Sequence, residues 1–138
     1  MSWKEKMKEF GGGDVVFMSV DGETLKFIVV GEPLLLTGKY KGQPTERIGC
    51  PVITEDGFEL FITGKRLARK IAKFEGTFET SGFIAIRHGE QGDINAVYEL
   101  KVLDDFDLLS KLQAYRDTEF KTEMISEAII AAKEIMQS

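Results

Sequence analysis

Residues 64–74 read Gly-Lys-Arg-Leu-Ala-Arg-Lys-Ile-Ala-Lys-Phe and decide the fold class. Leu67, Ile71 and Phe74 recur at helical spacing and predict one apolar helix face, which Gly76 ends. The other face carries five cations: Lys65, Arg66, Arg69, Lys70 and Lys73. A doubly wound α/β fold needs several crossover helices, and this is the one helical pattern in the body of the chain. The pattern therefore argues against that fold.

Strand patterns lie on both sides of this helix. Apolar, β-branched and alternating runs separated by Gly, Pro and Asp turns predict strands over residues 15–20, 24–30, 34–40, 45–53, 58–62, 82–88 and 96–102. Asp21-Gly22 predicts a hairpin between the first two runs. One small helix between the third and fourth main strands is the element order of the OB fold, a five-stranded, partly open barrel. An immunoglobulin-like sandwich does not account for the helix.

The two ends of the chain differ from this body. Residues 1–13 predict an N-terminal arm or short helix with a Gly11–Gly13 linker, and residues 14–105 form the predicted OB-fold domain. Residues 106–138 predict a helical extension that starts after Asp104-Asp105, is interrupted at 115–118 and resumes over 120–136. Its apolar stripe must pack on the barrel, pair with another copy or dock on a partner. Its acidity also suggests the hypothesis that it occupies a basic groove when DNA is absent.

Composition limits the classes of function. The 138 residues carry a net charge of -5, but residues 104–138 hold four basic and eight acidic residues, whereas residues 39–88 hold nine and six. The acidity argues against a polycationic coat on nucleic acid and leaves room for a local basic groove. The single Cys50 excludes an internal disulfide and, with one histidine, the usual zinc sites. No apolar run predicts a membrane span or a secretory signal, so we expect a cytoplasmic protein, in the host cytoplasm if it is viral.

Three segments resemble short phage-type single-stranded DNA-binding proteins. Residues 21–27 (DGETLKF) are similar to their opening hairpin, 64–70 (GKRLARK) to the basic helix after their third strand, and 84–89 (IAIRHG) with 98–100 (YEL) to their last two strands. The resemblance spans roughly residues 15–105 by pattern. It implies an OB fold that binds single strands with little sequence preference in replication, recombination or repair. The chain departs from that pattern in its helical C-terminus and in lacking residues for the zinc site that some of these proteins carry.

Single-strand binding requires cations for phosphates and aromatic faces on which bases stack. The candidate nucleic-acid-binding residues are Lys39, Tyr40, Lys41, Arg47, Phe61, Lys65, Arg66, Arg69, Arg87 and Tyr98, with Trp3 and Phe58 as secondary stacking candidates. The plain alternatives are that Phe61 and Tyr98 belong to the core, that the basic helix face is a solvated surface, and that the strand arginines pair with Glu46 or Glu99.

The sequence offers little for catalysis. Gly11–Gly13 is no phosphate loop, a Cys50–His88 pair lacks a third group, and helix capping explains the Asp104-Asp105-Asp107 cluster. We expect no enzyme activity and no cofactor. The preferred function is non-sequence-specific binding of single-stranded DNA. The alternative is an OB-like protein-interaction module whose C-terminal helices assemble with themselves or with a replication partner, and a third option is RNA binding by the same surface.

Overall fold

The computed structural model describes residues 15–40, 42–90 and 95–137. These residues contain seven strands: β1 (Val15–Val16), β2 (Thr24–Val29), β3 (Leu34–Tyr40), β4 (Gln43–Thr54), β5 (Gly57–Thr63), β6 (Phe83–His88) and β7 (Val97–Val102). They also contain helices α1 (Lys65–Ala72), α2 (Phe106–Thr118) and α3 (Glu123–Gln137), and a 3₁₀ turn at Glu75–Thr77. The prediction of a mainly β fold with one inserted helix and a helical C-terminal region is confirmed. The predicted N-terminal arm lies outside the described residues.

The strands form one open mixed sheet in the order β1-β5-β4-β2-β6-β7, with β3 also paired to β4. Strand β2 holds the two halves together, because its last residues pair with β4 (Ile28↔Ile53) and its first four pair with β6 (Phe27↔Phe83). Strand β1 runs parallel to β5, whereas the other pairs are antiparallel. Among the described residues no pairing joins β5 to β7, so a closed five-stranded barrel is not formed.

The predicted hairpin between residues 15–20 and 24–30 is wrong. Asp21-Gly22 does turn the chain, with Gly22 at φ 82°, but the two arms do not pair with each other. The Glu23 carboxylate accepts hydrogen bonds from the backbone N–H groups of Ser19 (2.8 Å) and Val20 (3.0 Å). Because β6 and β4 occupy the edges of β2, the first arm runs on to pair with β5 instead.

Both faces of the sheet are covered. On one face, Leu67 and Ile71 of α1 pack onto a core that includes Phe27, Phe61 and Phe83. The centroid of the Phe27 ring lies 5.8 Å from that of Phe61 and 5.9 Å from that of Phe83. On the other face, α2 and α3 cover a second apolar layer, where Leu36, Leu60, Ile62, Ala128 and Ala132 are buried together. The alternation of side chains along the strands supplies both layers.

The C-terminal helices therefore use their apolar stripe within the chain. Ala128 and Ala132 are fully buried. Helix α3 lies directly on β3, because a Cβ added at Gly38 would lie 2.2 Å from the Met136 carbonyl oxygen. Helix α2 continues through the predicted interruption at 115–118, because Tyr115 packs into the core. Since these helices lie on the sheet face opposite α1, the hypothesis that they occupy a groove beside α1 is not supported. No helix within the described residues is long and apolar enough to cross a bilayer.

Candidate nucleic-acid interface

A cleft of about 720 Å³ lies between α1, the start of β4 and the start of β7. Helix α1 begins after Gly64, and its buried Leu67 and Ile71 anchor it to the sheet so that its cationic face lies at this cleft. Five predicted site residues line it, together with Lys70: Arg47, Lys65, Arg66, Arg69 and Tyr98. The fold thus brings five of the ten predicted site residues to one place.

The cleft continues into a second one of about 560 Å³, because Lys70, Val97 and Tyr98 line both. The second cleft adds Lys73, Phe74 and His88. We call the two together the basic groove. It runs along the side of α1 on which Arg66, Lys70 and Lys73 follow one another at helical spacing.

The charge balance of the basic groove is positive. Six lysines and arginines line it against two glutamates, Glu46 and Glu99. Both carboxylates already have partners: Glu46 forms an ion pair with Lys65 at 2.7 Å, and Glu99 forms one with Lys101 at 3.1 Å and a hydrogen bond with His88 at 3.0 Å. Hydrogen bonds from His88 and then Lys101 hold the pKa of Glu99 below its ordinary value. These pairs leave Arg66, Arg69 and Lys73 without a carboxylate partner in the described part of the chain.

Lys70 and Tyr98 link α1 to β7. The Lys70 Nζ donates a hydrogen bond to the Tyr98 carbonyl oxygen at 2.6 Å, on the edge of β7 that faces away from β6. Tyr98 is half-buried and lies where the two clefts meet. The contact therefore places an aromatic side chain next to a row of cations, which is the combination that single-strand binding requires.

Arg87 does not belong to this row of cations, and its position gives no support to the predicted phosphate contact. It is 7% exposed, because the alternation that buries Phe83 and Ala85 also directs Arg87 inward. Its guanidinium donates to the Gly89 carbonyl (2.7 Å), the Glu90 carbonyl (2.6 Å) and the Tyr98 hydroxyl (2.6 Å). Arg87 thus fixes the start of the β6–β7 loop and the hydroxyl end of Tyr98.

Phe61 is likewise not a stacking residue. Its ring is fully buried, and a base cannot reach it. The secondary candidate Phe58 is also buried and stacks on Phe120 at a centroid distance of 5.3 Å. The structure confirms the alternative that Phe61 belongs to the core, and it places Phe58 there as well.

The remaining predicted residues lie around the β3–β4 hairpin. Lys39 is exposed and pairs with Pro44, which lines the basic groove, so both lie on the same face of the hairpin. Arg47 is exposed and lines the edge of the basic groove at the start of β4. Lys41, the Tyr40 side chain and Trp3 lie outside what the structure describes.

Among the residues that line the basic groove, the predicted site omitted the cations Lys70 and Lys73 and the aromatic Phe74. The spacing of Arg66, Lys70 and Lys73 along one side of the helix was the signal that pointed to the two lysines. Nothing local marks Phe74, since its spacing fits the core face equally well.

No family model, curated protein or solved structure matches this chain.

Proposed function

We propose that this chain binds single-stranded DNA without sequence specificity, through the basic groove. The observation that carries the proposal is the row Arg66–Lys70–Lys73 beside Tyr98, with both nearby carboxylates neutralised by their own partners. Cations at this spacing can contact phosphates of one strand, and a half-buried aromatic ring can give one base a stacking surface. The proposed role is to coat exposed strands in replication, recombination or repair.

The arrangement of strands supports the same proposal. We infer that β2, β4, β5, β6 and β7 correspond to the five strands of an OB-like sheet, with α1 in the usual place between the third and fourth strands. OB folds bind oligonucleotides on the face of their second and third strands and with the loop between strands four and five. The basic groove lies beside the corresponding strand β4 and at the end of the β6–β7 connection.

The shape of the groove favours a single strand over a duplex. It is a cleft bounded by a helix and a strand, and its aromatic residues Tyr98 and Phe74 are half-buried. Stacking on such rings needs unpaired bases, whose faces a duplex hides.

Fluorescence anisotropy of labelled dT, rU and duplex oligonucleotides at several salt concentrations tests the proposal. We expect dT to bind and duplex to bind much more weakly. If Arg66, Arg69, Lys70 and Lys73 each neutralise one phosphate, the log–log salt dependence has a slope of roughly −3. Equal affinity for duplex, or no binding of dT at low salt, would show that the proposal is wrong. Tighter binding of rU than of dT would assign the groove to RNA.

Single substitutions identify the groove as the binding surface. Arg66→Gln and Lys70→Gln should each weaken binding to all sequences alike and reduce the salt slope by about 0.7. The matched control is Lys111→Gln, which removes the same charge from an exposed position on α2, on the other side of the sheet. If the control weakens binding as much as the groove variants, the long-range charge of the protein accounts for binding and the groove assignment is wrong.

Two substitutions at Tyr98 separate stacking from loop positioning. Tyr98→Phe and Tyr98→Leu both remove the hydroxyl that accepts from Arg87, and only the leucine variant removes the ring. We expect the leucine variant to lose about 1–3 kcal/mol of binding free energy relative to the phenylalanine variant. Equal affinities for the two variants would exclude stacking on this residue.

A further inference from the structure

A second opening lies on the side of α1 that carries Ala68 and Ala72. It is an apolar cavity of about 330 Å³ between α1, the sheet and the segment that follows β2. Its floor consists of the buried side chains Val29, Cys50 and Ile71, and Ile48 and Phe78 form half-buried walls. This volume falls in the range of small-ligand pockets, which are mostly apolar with a few polar groups that orient the ligand.

The charged residues at the rim of the cavity are separated by sign. Lys65 and Arg69 line the cavity at the N-terminal part of α1, whereas Glu75 lines it beyond the C-terminal end of the helix. Lys65 is paired with Glu46, and Arg69 has no carboxylate partner within the described residues. An exposed guanidinium next to an apolar cavity can form paired hydrogen bonds with a carboxylate. Glu75 repels an anionic group from the other end.

We propose that this cavity binds a free medium-chain carboxylate, with its aliphatic chain against Val29, Cys50 and Ile71 and its carboxylate on Arg69. The length of the site supports a chain of medium length, since Glu75 follows Arg69 by six residues, which corresponds to a helical rise of roughly 9 Å. The separation of a cationic end from an acidic end fixes the direction of the carboxylate ligand, with its head group at Arg69 and away from Glu75. This site is distinct from the basic groove, although Lys65 and Arg69 line both.

One consequence depends on the function proposed above. A carboxylate bound to Arg69 removes that guanidinium from the phosphates of a strand in the basic groove. The ligand therefore weakens binding of single-stranded DNA, and the Arg69→Gln variant should be insensitive to it.

Titration calorimetry without nucleic acid tests the cavity itself, using decanoate below its micelle concentration, with decanol and decyltrimethylammonium as probes. We expect decanoate to bind more tightly than decanol and more tightly than the cation. Arg69→Gln should weaken decanoate about tenfold and leave decanol unchanged. Arg66→Gln, which removes the same charge from the same helix outside the cavity lining, should leave decanoate unchanged.

Substitutions that fill the cavity complete the test. Ala68 lines the cavity, so Ala68→Leu should abolish binding, whereas Ala114→Leu at an exposed position of α2 should not. Decanoate should also slow the alkylation of Cys50, the only cysteine of the chain. No heat with decanoate, unchanged binding in Ala68→Leu, or equal weakening in Arg66→Gln and Arg69→Gln would each overturn the proposal. So would tight binding to phospholipid vesicles combined with none to decanoate, which would assign the site to a lipid headgroup.

Discussion

Replacing Arg87 by methionine tests whether this side chain holds the structure together or contacts phosphate. Arg87 is 7% exposed and makes three hydrogen bonds, to Gly89, Glu90 and Tyr98. Hydrogen bonds from a charged donor contribute about 1.5–3 kcal/mol each. Glu90 is exposed, so water can donate to its carbonyl oxygen in place of the arginine. The hydrogen bonds to Gly89 and Tyr98 therefore account for the loss of stability. Methionine retains most of the apolar packing. The expected loss of stability is about 3–6 kcal/mol.

Urea unfolding followed by circular dichroism measures this loss. With an m-value of about 2 kcal/mol/M, the midpoint should fall by about 2 M. Arg87→Lys keeps one donor and should fall between the wild type and Arg87→Met. The affinity for dT, measured where the variants remain folded, should change much less than in Arg66→Gln. A midpoint shift below about 0.5 M, together with a large loss of dT affinity, would refute the structural role and make Arg87 a phosphate ligand.

Three further outcomes follow from the packing. Gly38→Ala should cost at least about 2 kcal/mol in chemical denaturation, because its Cβ would meet the Met136 carbonyl at 2.2 Å, while Gly76→Ala, with nothing within 4 Å, should be close to neutral. Burial raises the pKa of the Cys50 thiol from 9.0 to about 11. The free energy of unfolding should therefore be unaffected by this thiol below pH 9 and fall by about 2 kcal/mol between pH 9 and pH 11. Cys50→Val should remove this fall. Phe61→Ala should lose about 3–5 kcal/mol of stability and, where it stays folded, bind dT as the wild type does.

Local signals predicted the parts of the fold that form locally. The β3–β4 and β4–β5 hairpins turn at Gly42 (φ 80°) and Gly57 (φ 100°), and α1 has its apolar face at 67, 71 and 74. The partners of β1 and β2 could not be predicted in this way. These pairings depend on which of several strands reaches a free strand edge first. The Glu23 carboxylate also accepts from the Ser19 N–H, a backbone group that a hairpin would use.

The same distinction applies to the site. The cations of α1 were predictable because one helix presents them together, and the fold adds the cleft that they line. Arg87 and Phe61 needed the strand register, which decides the face on which a side chain lies. For Arg87 a clue was present: Phe83, Ala85 and Arg87 alternate, so an inward Phe83 implies an inward Arg87. Phe61 gave no such clue, because β5 is buried on both faces and every residue in it is covered.

The pairing of β2 also has a kinetic consequence. Its first residues bond to 83–86 and its last to 52–53, so neither of its partners is adjacent in sequence. The loops between these partners must close before the central strand gains any sheet hydrogen bonds. Chains dominated by such non-local pairing fold in milliseconds to seconds, slower than helical bundles of similar size. We therefore expect the β3–β4–β5 meander to form first, and substitutions in β2 to speed unfolding more than they slow folding.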